Sequence, residues 1–142
     1  MSTLQATREQ VSLRRLAADY VSLTKPSIVG LLVATALAAM VAAAHGRPHL
    51  LAMVAVILGG SLAAGGAHAI NCWYDRDIDL KMARTRRRPI PDGRIPAWHA
   101  LVMGIAFNVI AFSVLWAWAN LLAAALAVLA TLIYDFVYTI WL

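Results

Sequence analysis

An amide and two carboxylates recur at four-residue intervals in the sequence "NCWYDRDID". If this segment is helical, a turn of about 100° per residue places Asp75 about 40° and Asp79 about 80° from Asn71, so the three side chains form one column. Like charges four residues apart repel each other, which favours a cation between them. Oxygen ligands of this kind suit Mg²⁺, which binds one or two carboxylates together with substrate phosphates. We therefore interpret Asn71, Asp75 and Asp79 as candidate catalytic and metal-binding residues.

A simpler explanation of the same pattern stays open at this point. Asp75, Asp77 and Asp79 could be solvated charges in a loop outside the membrane, because short aspartate patterns often arise by chance. If the segment is helical, Asp77, at about 240°, points away from the column. His68, at about 60°, shares the face of the column, and a hydrogen bond to a neighbour explains it as readily as a ligand role does.

Basic residues follow the aspartates closely. They are Lys81, Arg84, Arg86, Arg87, Arg88 and Arg94. Guanidinium groups grip phosphate oxygens, so carboxylates followed by arginines suit a substrate that is both anionic and complexed to a metal. A basic loop also obeys the positive-inside rule, and it can contact anionic lipid. The prolines and glycine of "RPIPDGRIP" indicate that the helix has ended by this point.

The rest of the chain is apolar: 62% of its residues are hydrophobic and 13% are charged. Three long runs contain no Lys, Arg, Asp or Glu: 27–44, 48–74 and 95–134. About 20 helical residues cross a hydrocarbon core of about 30 Å. The predicted spans lie near 27–45, 49–72, 97–117 and 121–141. These runs lack the alternation of a barrel strand, so the sequence predicts an all-α, polytopic membrane helix bundle.

The basic residues also predict how the chain is oriented. They concentrate in the N-terminal segment, residues 1–25, and in the charged loop at about 75–96, so the positive-inside rule places both on the cytoplasmic side. This topology accounts for most of the net charge of +5 and leaves no need for a nucleic-acid partner. Residues 26–142 then form one domain of four transmembrane helices. Cys72 is the single cysteine, which excludes an internal disulfide and a thiolate metal cluster.

The end of the sequence gives two further expectations. "YDFVYTIWL" stops in apolar residues without a basic anchor, so we expect the chain to be the front part of a longer protein. Asp135 lies in the fourth predicted span. An acid at such a position either serves function or pairs with another helix.

The charged loop resembles a known family. "NCWYDRDIDLKMARTRRRPIPDGRI" is similar to the first aspartate-rich motif of the UbiA superfamily of intramembrane aromatic prenyltransferases. Its "DRDID", "M-x-R-T" and "RPIP-x-G" resemble the protohaem IX farnesyltransferase branch of that superfamily. "LTKPSIVGLL" at 23–32 resembles the opening of that branch's first helix, and "VYTIWL" at 137–142 resembles the end of its fourth. The resemblance covers nearly all of residues 20–142.

The resemblance implies about nine membrane helices around a cavity, of which this chain carries four. It implies a Mg²⁺-dependent enzyme of the cell inner membrane that transfers the farnesyl group of farnesyl diphosphate to a vinyl group of protohaem IX, giving haem O. Asn71, Asp75 and Asp79 correspond to the family's magnesium–diphosphate motif. Arg84, Arg88 and Lys25 are the implied diphosphate contacts. A second diphosphate motif would lie beyond residue 142, and a haem A synthase is an implied partner.

Two alternatives remain at the level of sequence. Another UbiA-type enzyme, acting on a quinone precursor or a chlorophyll-type acceptor, would share the diphosphate site and differ in its cavity. A small non-enzymatic membrane subunit that binds divalent cations would need the carboxylates and no diphosphate. Binding of a diphosphate distinguishes the second alternative, and the identity of the acceptor distinguishes the first.

Overall fold

The computed structural model describes the backbone of residues 3–141 and the side chains of residues 12–138. Within that part of the chain every regular element is helical. In chain order the elements are α1 (Thr3–Ser22), α2 (Pro26–Ala43), α3 (Leu50–Tyr74), α4 (Arg76–Lys81), α5 (Ala97–Trp118), α6 (Leu121–Ile133) and a π-helical segment (Tyr134–Trp141).

Four helices are long and apolar enough to cross a membrane. They are Pro26–Ala43, Leu50–Tyr74, Ala97–Trp118 and Leu121–Tyr138. The four predicted spans are therefore confirmed, each with ends within a few residues of those predicted. The chain is a multi-pass helical membrane protein, as its charge-free runs predict. The fourth span changes from α-helix to π-helix at Tyr134, which the sequence did not predict.

The bundle is built on a close crossing of α3 and α5, which make the most extensive contact in the structure. A Cβ added to Gly66 would lie 2.8 Å from the carbonyl oxygen of Gly104 and 2.6 Å from Nδ2 of Asn108, so the crossing has room only for hydrogen. Small residues allow helices to approach in this way inside a membrane. Gly59 and Gly66 of α3 thus permit the close approach of α5.

The other two spanning helices flank this pair. α2 packs against α3, and α6 packs mainly against α5. Asn108 links α5 to α6, because its Oδ1 accepts a 3.0 Å hydrogen bond from Oγ1 of Thr131. α2 has no buried residue, so its apolar surface is left for hydrocarbon or for further helices. Together α2, α3 and α6 border a groove along the bundle.

The N-terminal segment forms a helix, α1, whose end packs against the charged loop. Asp19 forms an ion pair with Arg94, and the hydroxyl of Tyr20 lies 2.6 Å from Nδ1 of His99. Leu23 is 1% exposed and packs in an apolar cluster. The other buried members of that cluster are Cys72, Ile90, Ile95 and Ala100. The N-terminal segment is thus part of the fold at the end of the bundle that carries residues 75–96, which we call the charged end.

Candidate active site

The column of polar residues crosses a break between two helices. α3 ends at Tyr74, Asp75 has a ψ of 1°, and α4 begins at Arg76, so the helix is not continuous through residue 80 as we assumed. That ψ is far from the value of about −42° in a regular helix, which bends the chain at Asp75. Helical hydrogen bonding nevertheless continues through the bend. The amide of Asp75 donates to the carbonyl of Asn71 at 2.9 Å, and the amide of Asp79 donates to that of Asp75 at 2.8 Å.

Asn71 and Asp75 are bound to each other. Nδ2 of Asn71 donates a 2.8 Å hydrogen bond to Oδ2 of Asp75. Asn71 is buried, whereas Asp75 is partly exposed. Partial burial raises the pKa of the Asp75 carboxyl above its ordinary value, the hydrogen bond from Asn71 opposes this, and the negative charge of Asp79 raises it further. The two carboxylates therefore lie close enough to repel each other.

Asp79 is buried under the basic loop. Its Oδ2 accepts a 2.8 Å hydrogen bond from Nη1 of Arg88, and its side chain is 5% exposed. The backbone carbonyl of Asp79 also accepts a bond of 3.1 Å from Oγ1 of Thr85, which is itself buried. Asp77, between the two, has a side chain that is 78% exposed. The predicted orientation of Asp77, away from the column, is confirmed.

A polar cavity of about 360 Å³ opens at the charged end. Four of the six predicted site residues line it: Lys25, Asp79, Arg84 and Arg88. Asn71 and Asp75 do not line this cavity; they form the adjoining turn of helix, from which Asp75 interacts electrostatically with Asp79, Arg88 and Lys25. The structure thus places the three predicted phosphate ligands and one of the two predicted carboxylates, that of Asp79, around a single cavity. The assignment of all six residues to magnesium and diphosphate stays a prediction.

Lys25 occupies a special place in this arrangement. Its φ of 45° lies in the left-handed region, which a residue other than glycine adopts only when the surrounding structure holds it there. It directly precedes Pro26 and lies between α1 and α2. Partial burial lowers the pKa of its ammonium group, and repulsion from Arg88 lowers it further. Positive charges are therefore concentrated here, which suits a polyanionic ligand.

An apolar cavity of about 400 Å³ adjoins the polar one. It is lined by α2, α3 and the fourth span, through residues that include Val29, Val33, Gly60, Ala64, Ala67 and Ala130. Lys25 and His68 line both cavities. The structure therefore places a cationic space and a hydrocarbon-lined space side by side, which is the shape of a ligand with an anionic head and an apolar tail.

Several residues of the polar cavity were not among the six predicted site residues. Asp19 and Arg87 also line it. Arg94 connects this side of the cavity through three contacts. Its Nε donates to Asp92 at 2.9 Å, and its Nη2 donates to the carbonyl of Arg87 at 2.9 Å. Its remaining terminal nitrogen pairs with Asp19. Asp19 is far from the charged loop in sequence, so no spacing rule connects the two. The charge excess of residues 84–94 was the only available signal for Arg87 and Arg94.

The column supplies oxygen ligands of the kind that magnesium prefers. Within residues 12–138, no group of three or more His, Cys, Asp or Glu side chains is placed to hold a metal ion. Asp75, Asp79 and the amide of Asn71 supply two carboxylates and one neutral oxygen. Magnesium fits such a set, because it usually keeps several waters and completes its shell with substrate phosphates.

Asp135 is a different case: its Oδ1 is buried without a hydrogen-bond partner, in the fourth span.

The fold and the site define a polytopic helical membrane protein with a cationic, carboxylate-bearing cavity at one end of an apolar one. The chain belongs to the UbiA prenyltransferase family, which matches residues 32–142. The resemblance seen in the sequence is thereby confirmed at the level of the family.

Relatives with known names cover most of this chain. A protoheme IX farnesyltransferase of Roseiflexus sp. (strain RS-1) is 54% identical over 124 residues, which are 87% of this chain and 23% of the relative. A protoheme IX farnesyltransferase of Symbiobacterium thermophilum is 49% identical over 135 residues, which are 95% of this chain and 45% of the relative. The chain thus spans less than half the length of these relatives. No solved structure matches the chain significantly.

Proposed function

We propose that this protein catalyses the transfer of the farnesyl group of farnesyl diphosphate to a vinyl group of protohaem IX, giving haem O and diphosphate. The observation that carries the proposal is the meeting of the polar and the apolar cavity at Lys25 and His68. Farnesyl diphosphate has an anionic head that would suit the polar cavity and a hydrocarbon tail that would suit the apolar cavity. The names of the relatives favour protohaem as the acceptor.

The polar cavity is the proposed site of the diphosphate. Arg84, Arg88 and Lys25 would bind its oxygens, since guanidinium and ammonium groups are strong phosphate donors. Asp75 and Asp79, with Asn71, would hold magnesium. When bound, the metal ion supplies Lewis-acid stabilisation of the leaving group. The farnesyl chain would lie in the apolar cavity, where it needs no polar contact.

The chemistry follows from this placement. Breaking the bond between C1 of the farnesyl group and the diphosphate oxygen leaves both electrons on diphosphate and an allylic cation on C1. Lys25, Arg84 and Arg88 would stabilise the negative charge that develops on the leaving group. The apolar walls would exclude water that could otherwise capture the cation. The π electrons of the acceptor then form the new carbon–carbon bond. The positive charge left on the acceptor is removed by loss of a proton, either from the acceptor itself or from a water molecule that has added to it.

The setting is proposed from the charge distribution. We place the charged end at the cytoplasmic face of the cell inner membrane, because basic residues concentrate there and charges at a bilayer edge avoid the penalty of its centre. The protein would take farnesyl diphosphate and protohaem IX as substrates within the lipid bilayer. A haem A synthase is the proposed partner that would use the product.

Product analysis tests the proposal. Membranes that contain the protein are incubated with isotopically labelled farnesyl diphosphate, Mg²⁺ and protohaem IX, and pigments are separated and weighed by mass spectrometry. We expect label in haem O, with equal release of diphosphate. Label found only in an added quinone precursor or chlorophyll-type acceptor would assign the protein to another branch. Magnesium binding without transfer to any acceptor would favour the non-enzymatic alternative.

A further inference from the structure

His68 lies where the two cavities meet and is not among the proposed ligands of magnesium or diphosphate. It is 6% exposed and lines both cavities. Its Nε2 lies 3.5 Å from the sulfur of Cys72, one helical turn further along α3. A thiol is only a weak hydrogen-bond donor and acceptor, so this contact binds the imidazole loosely. A buried imidazole at the junction of two ligand cavities is therefore available to a ligand.

The proposed reaction needs a proton acceptor at this junction. When the allylic carbon adds to the π bond of an acceptor, the acceptor is left with a positive charge. The neutral product forms when a proton leaves the carbon next to this charge, or when water adds to the charged carbon and loses a proton. Either proton is released beside the new bond, between the diphosphate head and the apolar tail, and a positioned base there accelerates its removal.

Few groups can accept that proton. Among the described residues, Lys25 and His68 line both cavities, and the ammonium of Lys25 has no acceptor site while it is charged. Asp79 and Asp19 line only the polar cavity, and each is paired with an arginine. A neutral imidazole always carries one nitrogen with a free electron pair. His68 is thus the side chain whose chemistry and position both suit a base.

We propose that His68 is the catalytic base that accepts, on Nε2, the proton released by the alkylated acceptor. This role rests on the proposed function. The bond from C1 to diphosphate breaks with both electrons on diphosphate, the π pair of the acceptor forms the bond to C1, and the C–H or water O–H electron pair stays with the product. The proton moves to Nε2 as the ligand displaces the Cys72 thiol. The imidazolium then returns it to solvent through the polar cavity.

Single-turnover product partition tests the proposal on the full-length protein in membranes. Labelled farnesyl diphosphate yields transferred product when the acceptor is alkylated, and free farnesol when water captures the cation. We expect His68→Asn and His68→Ala to retain Mg²⁺-dependent binding of inorganic diphosphate, to lose transfer by about 10²- to 10⁴-fold, and to raise the share of farnesol. Imidazole added to the buffer should restore transfer in His68→Ala.

A matched variant separates chemistry from packing. Cys72→Ala removes the neighbour of the imidazole and leaves the base in place, so we expect transfer within about threefold of wild type, well short of the loss of a base. Wild-type transfer and partition in both His68 variants would overturn the proposal and leave the function intact. If the His68 variants lose transfer and diphosphate binding to the same extent, and imidazole does not restore transfer, the proposal is overturned and His68 has only a packing role. Absence of transfer by the wild-type protein would overturn the proposed function itself.

Discussion

Arg88 and Asp79 are bound to each other through a 2.8 Å contact between Nη1 and Oδ2. One is a predicted phosphate ligand and the other a predicted metal ligand. The side chain of Asp79 is 5% exposed and that of Arg88 is 25% exposed, so each would lose its main compensating charge if the other moved away. A complex of magnesium with diphosphate would supply both replacements at once, a cation for Asp79 and an anion for Arg88.

Binding of magnesium and diphosphate should therefore be coupled. We expect Mg²⁺ to bind about tenfold more tightly when inorganic diphosphate is present, which corresponds to about 1.4 kcal/mol of coupling. Arg88→Gln should reduce this coupling, because Asp79 is then free to bind the metal alone. Isothermal titration of Mg²⁺ with and without diphosphate measures it. Arg86→Gln is the control, since Arg86 is exposed and does not line the cavity. A wild-type Mg²⁺ affinity that is the same with and without diphosphate would refute the coupling.

The helix crossing that supports the site depends on Gly66. A Cβ at this position would meet the Gly104 carbonyl oxygen at 2.8 Å, and backbone cannot move aside as a flexible side chain can. We expect Gly66→Ala to destabilise the protein by about 1–3 kcal/mol, the usual range for overpacking. Thermal unfolding in detergent measures the change.

Gly60→Ala is the matched control on the same helix. Its added Cβ would meet only Cγ2 of Val33, at 3.9 Å, which is ordinary contact. Alanine also favours a helix more than glycine does, by about 1 kcal/mol. This variant should be as stable as the wild type or more so. Equal melting temperatures for the two variants would show that the crossing tolerates a methyl group.

The pH dependence of diphosphate binding should reflect Lys25. Burial and Arg88 lower the pKa of its ammonium group from the ordinary 10.5, so the charge is lost at a lower pH than in a free lysine. A bound polyanion favours the charged form, hence affinity should be complete below the lowered pKa and fall as pH rises through it. Lys25→Arg should keep its affinity into alkaline solution, because guanidinium stays protonated. Titrations of an unreactive farnesyl diphosphate analogue check this, and identical pH profiles would exclude Lys25 as a ligand.

The proposed membrane orientation predicts which loops face the cytoplasm and which face the opposite side. Asp77 and Arg47 are exposed at opposite ends of α3, and the native Cys72 is buried. A membrane-impermeant maleimide should label Asp77→Cys only from the cytoplasmic side of vesicles and Arg47→Cys only from the other side. Mass spectrometry of right-side-out and inverted vesicles gives the result. The reverse pattern would invert the proposed topology.

Much of the fold could be predicted because its causes are local. A run of about 20 residues without charge has to be a membrane helix whatever the rest of the chain does. Asp77 could be assigned to the side away from the column because helical hydrogen bonding continues through the bend at Asp75.

The remaining features depend on contacts between distant parts of the chain. Asp79 and Arg88 were both predicted as ligands, yet their pairing required knowledge of how the loop folds back. Asp19 joins the site through Arg94, which no spacing could reveal. The bend at Asp75 is a change in one backbone angle, and local propensity does not specify it.

The central claim is that the carboxylates bind magnesium for a diphosphate. Two neighbouring aspartates offer the most direct test: Asp75 belongs to the column and is bound to Asn71, whereas Asp77 is exposed. Binding of an unreactive farnesyl diphosphate analogue is measured with and without Mg²⁺. We predict that Asp75→Asn loses at least about tenfold of the magnesium-dependent affinity, whereas Asp77→Asn, which removes the same charge, stays near wild type. Magnesium enhancement that survives in Asp75→Asn, or that falls equally in both variants, would contradict the account.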